Sequence, residues 1–150
     1  MFHSVAHIGM TVTDLDRSIA FYRDVLGLHF LGEMAMGGPE TAQLFCRPGC
    51  TARVAYLCPE DSAAPPVELI QFTDCPAAVH TPTLFESSIS ELCFAVEDID
   101  EEYRRLTAQG VEFLSQPQTF DSRAYGFGVS RAVYFYDPDR NILELIQPLS

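Results

Sequence analysis

The stretches VELIQF (67–72) and LELIQP (143–148) spell the same four residues twice, and each sets a glutamate, Glu68 or Glu144, inside an otherwise apolar run. Burying a carboxylate there is costly unless something pairs with it. A chain that accepts this cost twice invites a search for a wider repeat. Laying HIGMTVTDLDRS (7–18) over ELCFAVEDIDEE (91–102) puts Val12 on Val96, Asp14 on Asp98, Leu15 on Ile99 and Asp16 on Asp100. After a one-residue gap, Gly27 falls on Gly110, Phe30 on Phe113 and Leu31 on Leu114, and the ELIQ segments close both halves. The chain reads as two copies of one unit, module one at 3–73 and module two at 88–148, joined by a Pro-, Ser- and Thr-containing linker at 74–87.

Each unit reads as strand, helix, then strands. In HIGMTV, Ile8, Met10 and Val12 alternate with His7, Gly9 and Thr11, the period of a half-buried strand. Asp14 and Asp98 are good N-caps, since a carboxylate accepts the first free helix amides. Leu15, Ile19, Tyr22 and Leu26 recur at helical spacing before Gly27, as do Ile99, Tyr103 and Leu106 before Gly110. Strands are expected in HFLGEMAM (29–36), TAQLFCR (41–47), ARVAYLC (52–58) and VELIQF. In the second half they are expected in VEFLSQP (111–117), RAVYFYD (131–137) and ILELIQP (142–148), the last two joined by the turn DPDRN (137–141). The expected pattern is βαβββ, twice, an α+β fold.

Composition bounds the partners. The 150 residues are 47% hydrophobic, enough for a sizeable core, with a formal net charge of −12. Nucleic acid and anionic membrane surfaces both call for a basic footprint, so neither is expected as a partner. There is no apolar run of about 18 residues for a spanning helix, and the N-terminus lacks the pattern of a signal peptide. The five Cys residues form no CxxC pair. The expectation is a cytoplasmic protein with reduced thiols and no cysteine zinc site.

The segments HIGMTVTDLDRSIAFYRDVLGL, FAVEDIDEEYRRLTAQGVEFLSQP and VYFYDPDRNILELIQP together resemble the vicinal oxygen chelate superfamily, which holds glyoxalase I, methylmalonyl-CoA epimerase, fosfomycin- and bleomycin-resistance proteins and extradiol dioxygenases. The likeness spans nearly the whole chain, as one such domain over 1–150. It is specific for the fold and weak for the reaction, because the superfamily reuses one scaffold for many chemistries. It implies paired βαβββ modules forming a half-open barrel with a cleft, and four inward positions able to ligate a divalent metal. The matching residues are His7, Glu68, Glu91 and Glu144. Glu91 departs from the His that several members resemble each other in having. One imidazole and three carboxylates favour Mn, Ni, Co, Fe or Mg over Zn, and the set breaks the two-His-one-carboxylate arrangement of iron dioxygenases. Metal-free members also exist.

Side-chain direction bears on the same positions independently. His7 shares a strand face with Gly9 and Thr11, and Glu91 with Cys93 and Ala95, so small residues leave space beside each. By resemblance, Glu144 and Glu68 are the candidate catalytic carboxylates of a glyoxalase-I-type lyase or isomerase acting on a small oxygenated metabolite. A non-catalytic binding or resistance protein and a dioxygenase-like metalloenzyme are the alternatives. Arg53, Arg123 and Arg131 are candidates for binding an anionic substrate group, with surface ion pairing as the competing reading. Tyr125 and Phe127 flank a glycine on AYGFGVS (124–130) and are read as a lid over the cleft, with ordinary core plugs as the competing reading. Arg140 stands where the superfamily usually has Gly, and Asn141 is expected to take the strained backbone position. Open strand edges lead to the expectation of a homodimer.

Overall fold

The computed structural model describes residues 3–59 and 66–149. The pleat of β1 (Ile8–Thr11) follows its sequence, with Ile8 and Met10 half-buried and Gly9 and Thr11 exposed. Extended Asp14 then ends the strand and caps a helix, its carboxylate accepting the Arg17 amide at 3.0 Å. Helix α1 (Leu15–Ala20) widens into a π-helical turn over Phe21–Val25, and Gly27, at φ 81°, reverses the chain. β2 (His29–Met36), helix α2 (Pro39–Leu44), β3 (Ala52–Cys58) and β4 (Val67–Phe72) complete the first unit, Met1–Val79. Its sheet runs β1-β4-β3-β2, with β1 and β4 parallel and the other pairs antiparallel.

The second unit, His80–Ser150, repeats the plan with β5 (Leu92–Ala95), α3 (Ile99–Ala108), β6 (Gln118–Asp121), β7 (Val129–Tyr136) and β8 (Ile142–Pro148). Its sheet order is β5-β8-β7-β6, again with only the β5–β8 pair parallel. Both helices lay their apolar stripes on one face of their sheets. Val12, Leu15, Ile19, Tyr22, Val54, Leu57, Val67 and Leu69 are buried in the first unit, and Ile99, Leu106, Val133, Phe135, Leu143 and Leu145 in the second. Each such side chain contributes about 1.5–3 kcal/mol by leaving water. The period of two then fixes the other face: with Val67 and Leu69 under the helix, Glu68 must point away from it, and Glu144 likewise between Leu143 and Leu145.

Three local expectations are corrected. Residues 41–47 are not a strand. Pro39 starts helix α2 after Gly38 at φ 88°, and the buried Thr41 hydroxyl donates to the Gly37 carbonyl at 3.1 Å. Proline at a first helical position costs no hydrogen bond. Residues 111–117 keep only an isolated bridge, Phe113 to Phe135, and β6 begins at Gln118. That bridge still honours the repeat, because Phe30 pairs with Leu57 at the matching place. In the DPDRN turn it is Arg140, not Asn141, that takes the left-handed position, at φ 69°. Asn141 is occupied elsewhere: its amide and its side chain both donate to Asp137, each at 2.8 Å. Arg140 is held by the Tyr136 ring, 3.8 Å below its guanidinium, and by Glu112.

The cysteines are free thiols. Among the described residues no helix is long and apolar enough to cross a membrane.

Candidate functional site

Glu68 sits on β4 between two neighbours. Gly9 is opposite it on β1 and Tyr56 opposite it on β3. Only 12% of its side chain is exposed. The Tyr56 hydroxyl donates to Oε1 at 2.5 Å, and His7 Nε2 lies 3.3 Å from Oε2. His7 itself is 45% exposed at the side chain and stands edge-on to the Tyr56 ring, with centroids 6.1 Å apart. A Cβ at residue 9 would come within 3.1 Å of Oε2, so glycine there leaves the carboxylate its room. The hydrogen bond to Glu68, then burial, pushes the Tyr56 phenol above its ordinary value, keeping it a protonated donor.

The second unit sets the same register around Glu144. Cys93 is opposite on β5 and Tyr134 opposite on β7. Here the interior partner differs. Burial first, then a hydrogen bond to Glu144 and the charges of Glu144 and Glu91, push the Cys93 thiol up to about 12. Burial and the charges of Glu144, Glu91 and Cys93 raise the Tyr134 phenol. Glu91 is half-buried just before β5. Negative charge is therefore concentrated around Cys93.

The predicted donors thus come in pairs, His7 with Glu68 in the first unit, and Glu91 with Glu144 around Cys93 in the second. Among the described residues no group of three or more His, Cys, Asp or Glu side chains is placed to hold a metal ion. Chemically each pair suits a hard or borderline divalent cation. A sequestered carboxylate beside an imidazole, and two carboxylates whose charges both act on Cys93, gain from a counter-charge.

The arginines are engaged within their own units. Arg53 bonds Asp16 at 2.8 Å and Glu33 at 2.7 Å. Arg131, at the equivalent place, bonds Asp100 at 2.5 and 2.9 Å. In each half this guanidinium ties the sheet to the first turn of the helix. Arg123 pairs with Asp121 at 2.6 Å. Tyr125 and Phe127 are 80% and 85% exposed on a loop that turns at Gly126 and Gly128.

Two pairs escaped the sequence reading. Tyr56 and Tyr134 each follow an arginine by three residues, in ARVAY and SRAVY, and that repeated spacing was the available signal. The Gln of each ELIQ was the other. Gln71 accepts the Leu15 amide at 3.0 Å, and Gln147 accepts the Ile99 amide at 3.2 Å.

A family model for the Glyoxalase/Bleomycin resistance protein/Dioxygenase superfamily matches residues 4–145, and the chain belongs to that superfamily. Over 148 residues it is 31% identical to a 2-epi-5-epi-valiolone epimerase from Actinomyces sp., a match covering 95% of this chain and 78% of the relative. In fold it is similar to a glyoxalase family protein from Bacillus cereus, with TM-score 0.84 and 22% identity, covering 100% of this chain and 97% of the other. It is also similar to TnmS3, an antibiotic binding protein from Streptomyces, with TM-score 0.61 and 21% identity, covering 98% and 97%.

Proposed function

We propose that the protein is a metal-dependent isomerase or lyase of this superfamily that moves a proton beside the carbonyl of a small oxygenated metabolite. The observation that carries the reading is the twice-repeated setting of Glu68 and Glu144, each drawn away from the helix-packed face on a central strand between a small residue and a tyrosine. The 31% identical epimerase supports the isomerase side of it.

His7, Glu68, Glu91 and Glu144 are the donors proposed for the ion. A divalent metal, when bound, supplies a Lewis acid for the carbonyl and the oxyanion that follows. The remaining work falls to side chains of this chain. Glu144 accepts the proton, as a carboxylate suited to general base catalysis. An epimerisation also needs a group that returns a proton, and Glu68 is assigned that part. The exposed rings of Tyr125 and Phe127 cover the substrate, and Arg123 beside them meets its anionic or hydroxylated end.

The test is proton exchange. Protein is incubated in D2O with 2-epi-5-epi-valiolone, and with a panel of simple 2-hydroxy ketones, in the presence of Mn, Ni, Co or Mg. Mass spectrometry reads deuterium uptake and chromatography reads the epimer or product. Metal-dependent uptake, lost in Glu144→Gln, supports the proposal. Tight binding of these compounds without exchange under every metal would move the protein to the binding members of its superfamily.

A further inference from the structure

The two halves repeat their backbone register but not their hydrogen bonds. Tyr56 and Tyr134 occupy the same place opposite an ELIQ glutamate. In the first unit the hydroxyl reaches the carboxylate at 2.5 Å. In the second unit, among the described residues, Tyr134 makes no such bond to Glu144, and Cys93 stands where the first unit has Gly9.

A carboxylate on a flexible side chain has several rotamers, and a donor fixed to a strand selects one of them. Tyr56 is fixed in that way, half-buried on β3 with its neighbours Ala55 and Leu57 fully buried. Its bond occupies Oε1 and leaves Oε2 toward His7, in the space that Gly9 keeps open. We infer that Tyr56 is the positioning residue that orients the Glu68 carboxylate toward His7, and that Tyr134 has no such part toward Glu144. Partners of this kind behind a metal-ligating group are worth about 10–100-fold in affinity or activity. The inference rests on the proposed metal role of Glu68 for its effect on affinity, but not for the orientation itself.

The experiment therefore has two readouts, on wild type, Tyr56→Phe and Tyr134→Phe. Crystal structures of the metal-free proteins read the Glu68 rotamer. Calorimetric titration with Mn or Ni alone reads the Kd. Glu68 should leave His7 or split between rotamers in Tyr56→Phe and stay in place in Tyr134→Phe. Metal binding should weaken about 10–100-fold in Tyr56→Phe and change little in Tyr134→Phe. An unmoved Glu68 in Tyr56→Phe overturns the inference whatever the titration shows, and so does an equal loss of affinity in both variants. Absence of metal binding by wild type sinks the metalloenzyme reading instead, and the rotamer then decides the role of Tyr56 alone.

Discussion

Gln71 ties the end of β4 to the first turn of α1. Its Oε1 accepts the Leu15 amide at 3.0 Å and its Nε2 donates to the Thr13 carbonyl at 3.2 Å. Gln147 does the same in the second unit, to the Ile99 amide at 3.2 Å and the Glu97 carbonyl at 2.5 Å. The ELIQ tetrapeptide is thus a two-part device. Its glutamate faces away from the helix, and three residues on its glutamine reaches the helix start. Replacing Gln71 or Gln147 by Ala leaves a helix amide and a loop carbonyl without these partners. Each change should cost about 1–2 kcal/mol, read as a lower urea midpoint at unchanged m-value.

Gly9→Ala tests the space beside Glu68. The new methyl would meet Oε2 at 3.1 Å, so the carboxylate must give by a few tenths of an ångström. The backbone there is ordinary strand, and the fold should tolerate the change. Affinity for Mn or Ni should fall severalfold while the apo melting temperature stays within a few degrees. An unchanged Kd would show that Oε2 is not a donor.

The Arg53–Asp16 and Arg131–Asp100 pairs predict an acid dependence. The hydrogen bond to arginine holds each Asp below its ordinary 3.8. A depressed carboxylate stabilises the fold above its unfolded value, and that contribution is lost as pH falls through the folded one. Asp16→Asn and Asp100→Asn should therefore lower stability slightly at pH 7 and match wild type well below pH 3.8. The effect should be small, because both carboxylates are exposed and screened. Urea titrations across pH 2–7 check it, and a deficit that persists in acid would contradict it.

Cys93 should resist alkylation although its residue is exposed. With its thiol pushed up to about 12, roughly one molecule in 10⁴ is thiolate at pH 8, against about a quarter for an ordinary thiol. A more basic thiolate is intrinsically faster, which recovers part of the deficit. Iodoacetamide should then label Cys93 of metal-free protein about a hundredfold more slowly than a free cysteine peptide. Glu144→Gln, which removes both the hydrogen bond and a charge, should speed the labelling. Peptide mapping by mass spectrometry measures both.

The repeat carried most of the fold. Asp14 and Asp98, Gly27 and Gly110, and the two ELIQ runs marked both helices and both central strands, because caps, reversals and period-two burial are local and directional. TAQLFCR reads as a strand although its apolar residues suit a short helix as well, and the proline that starts α2, Pro39, lies just before that run. Asn141 was expected at the left-handed position on intrinsic preference, but Asp137 gathers both of its N–H groups, leaving that conformation to Arg140. At the site, alternation set His7 beside Gly9 and Thr11 and Glu91 beside Cys93 and Ala95, while Glu68 and Glu144 were marked by the repeat. The partners were not: Tyr56 reaches Glu68, with Gly9 on the neighbouring strand where the second unit has Cys93, and these are cross-strand facts.

The half-buried ELIQ carboxylates are proposed to be held for a cation. The most direct measurement is the melting temperature of wild type, Glu68→Gln and Glu144→Gln, each with and without added Mn or Ni. Wild type should rise by several degrees with metal, since a ligand that binds only the folded state stabilises it by mass action. Glu144→Gln should melt at or above wild type without metal, relieved of one of the two negative charges that act on Cys93, and should lose most of the metal-dependent rise. Glu68→Gln should lose that rise too. A wild type that shows no shift with any metal, together with a Glu144→Gln that is destabilised with or without it, would make both glutamates structural acceptors and contradict the account.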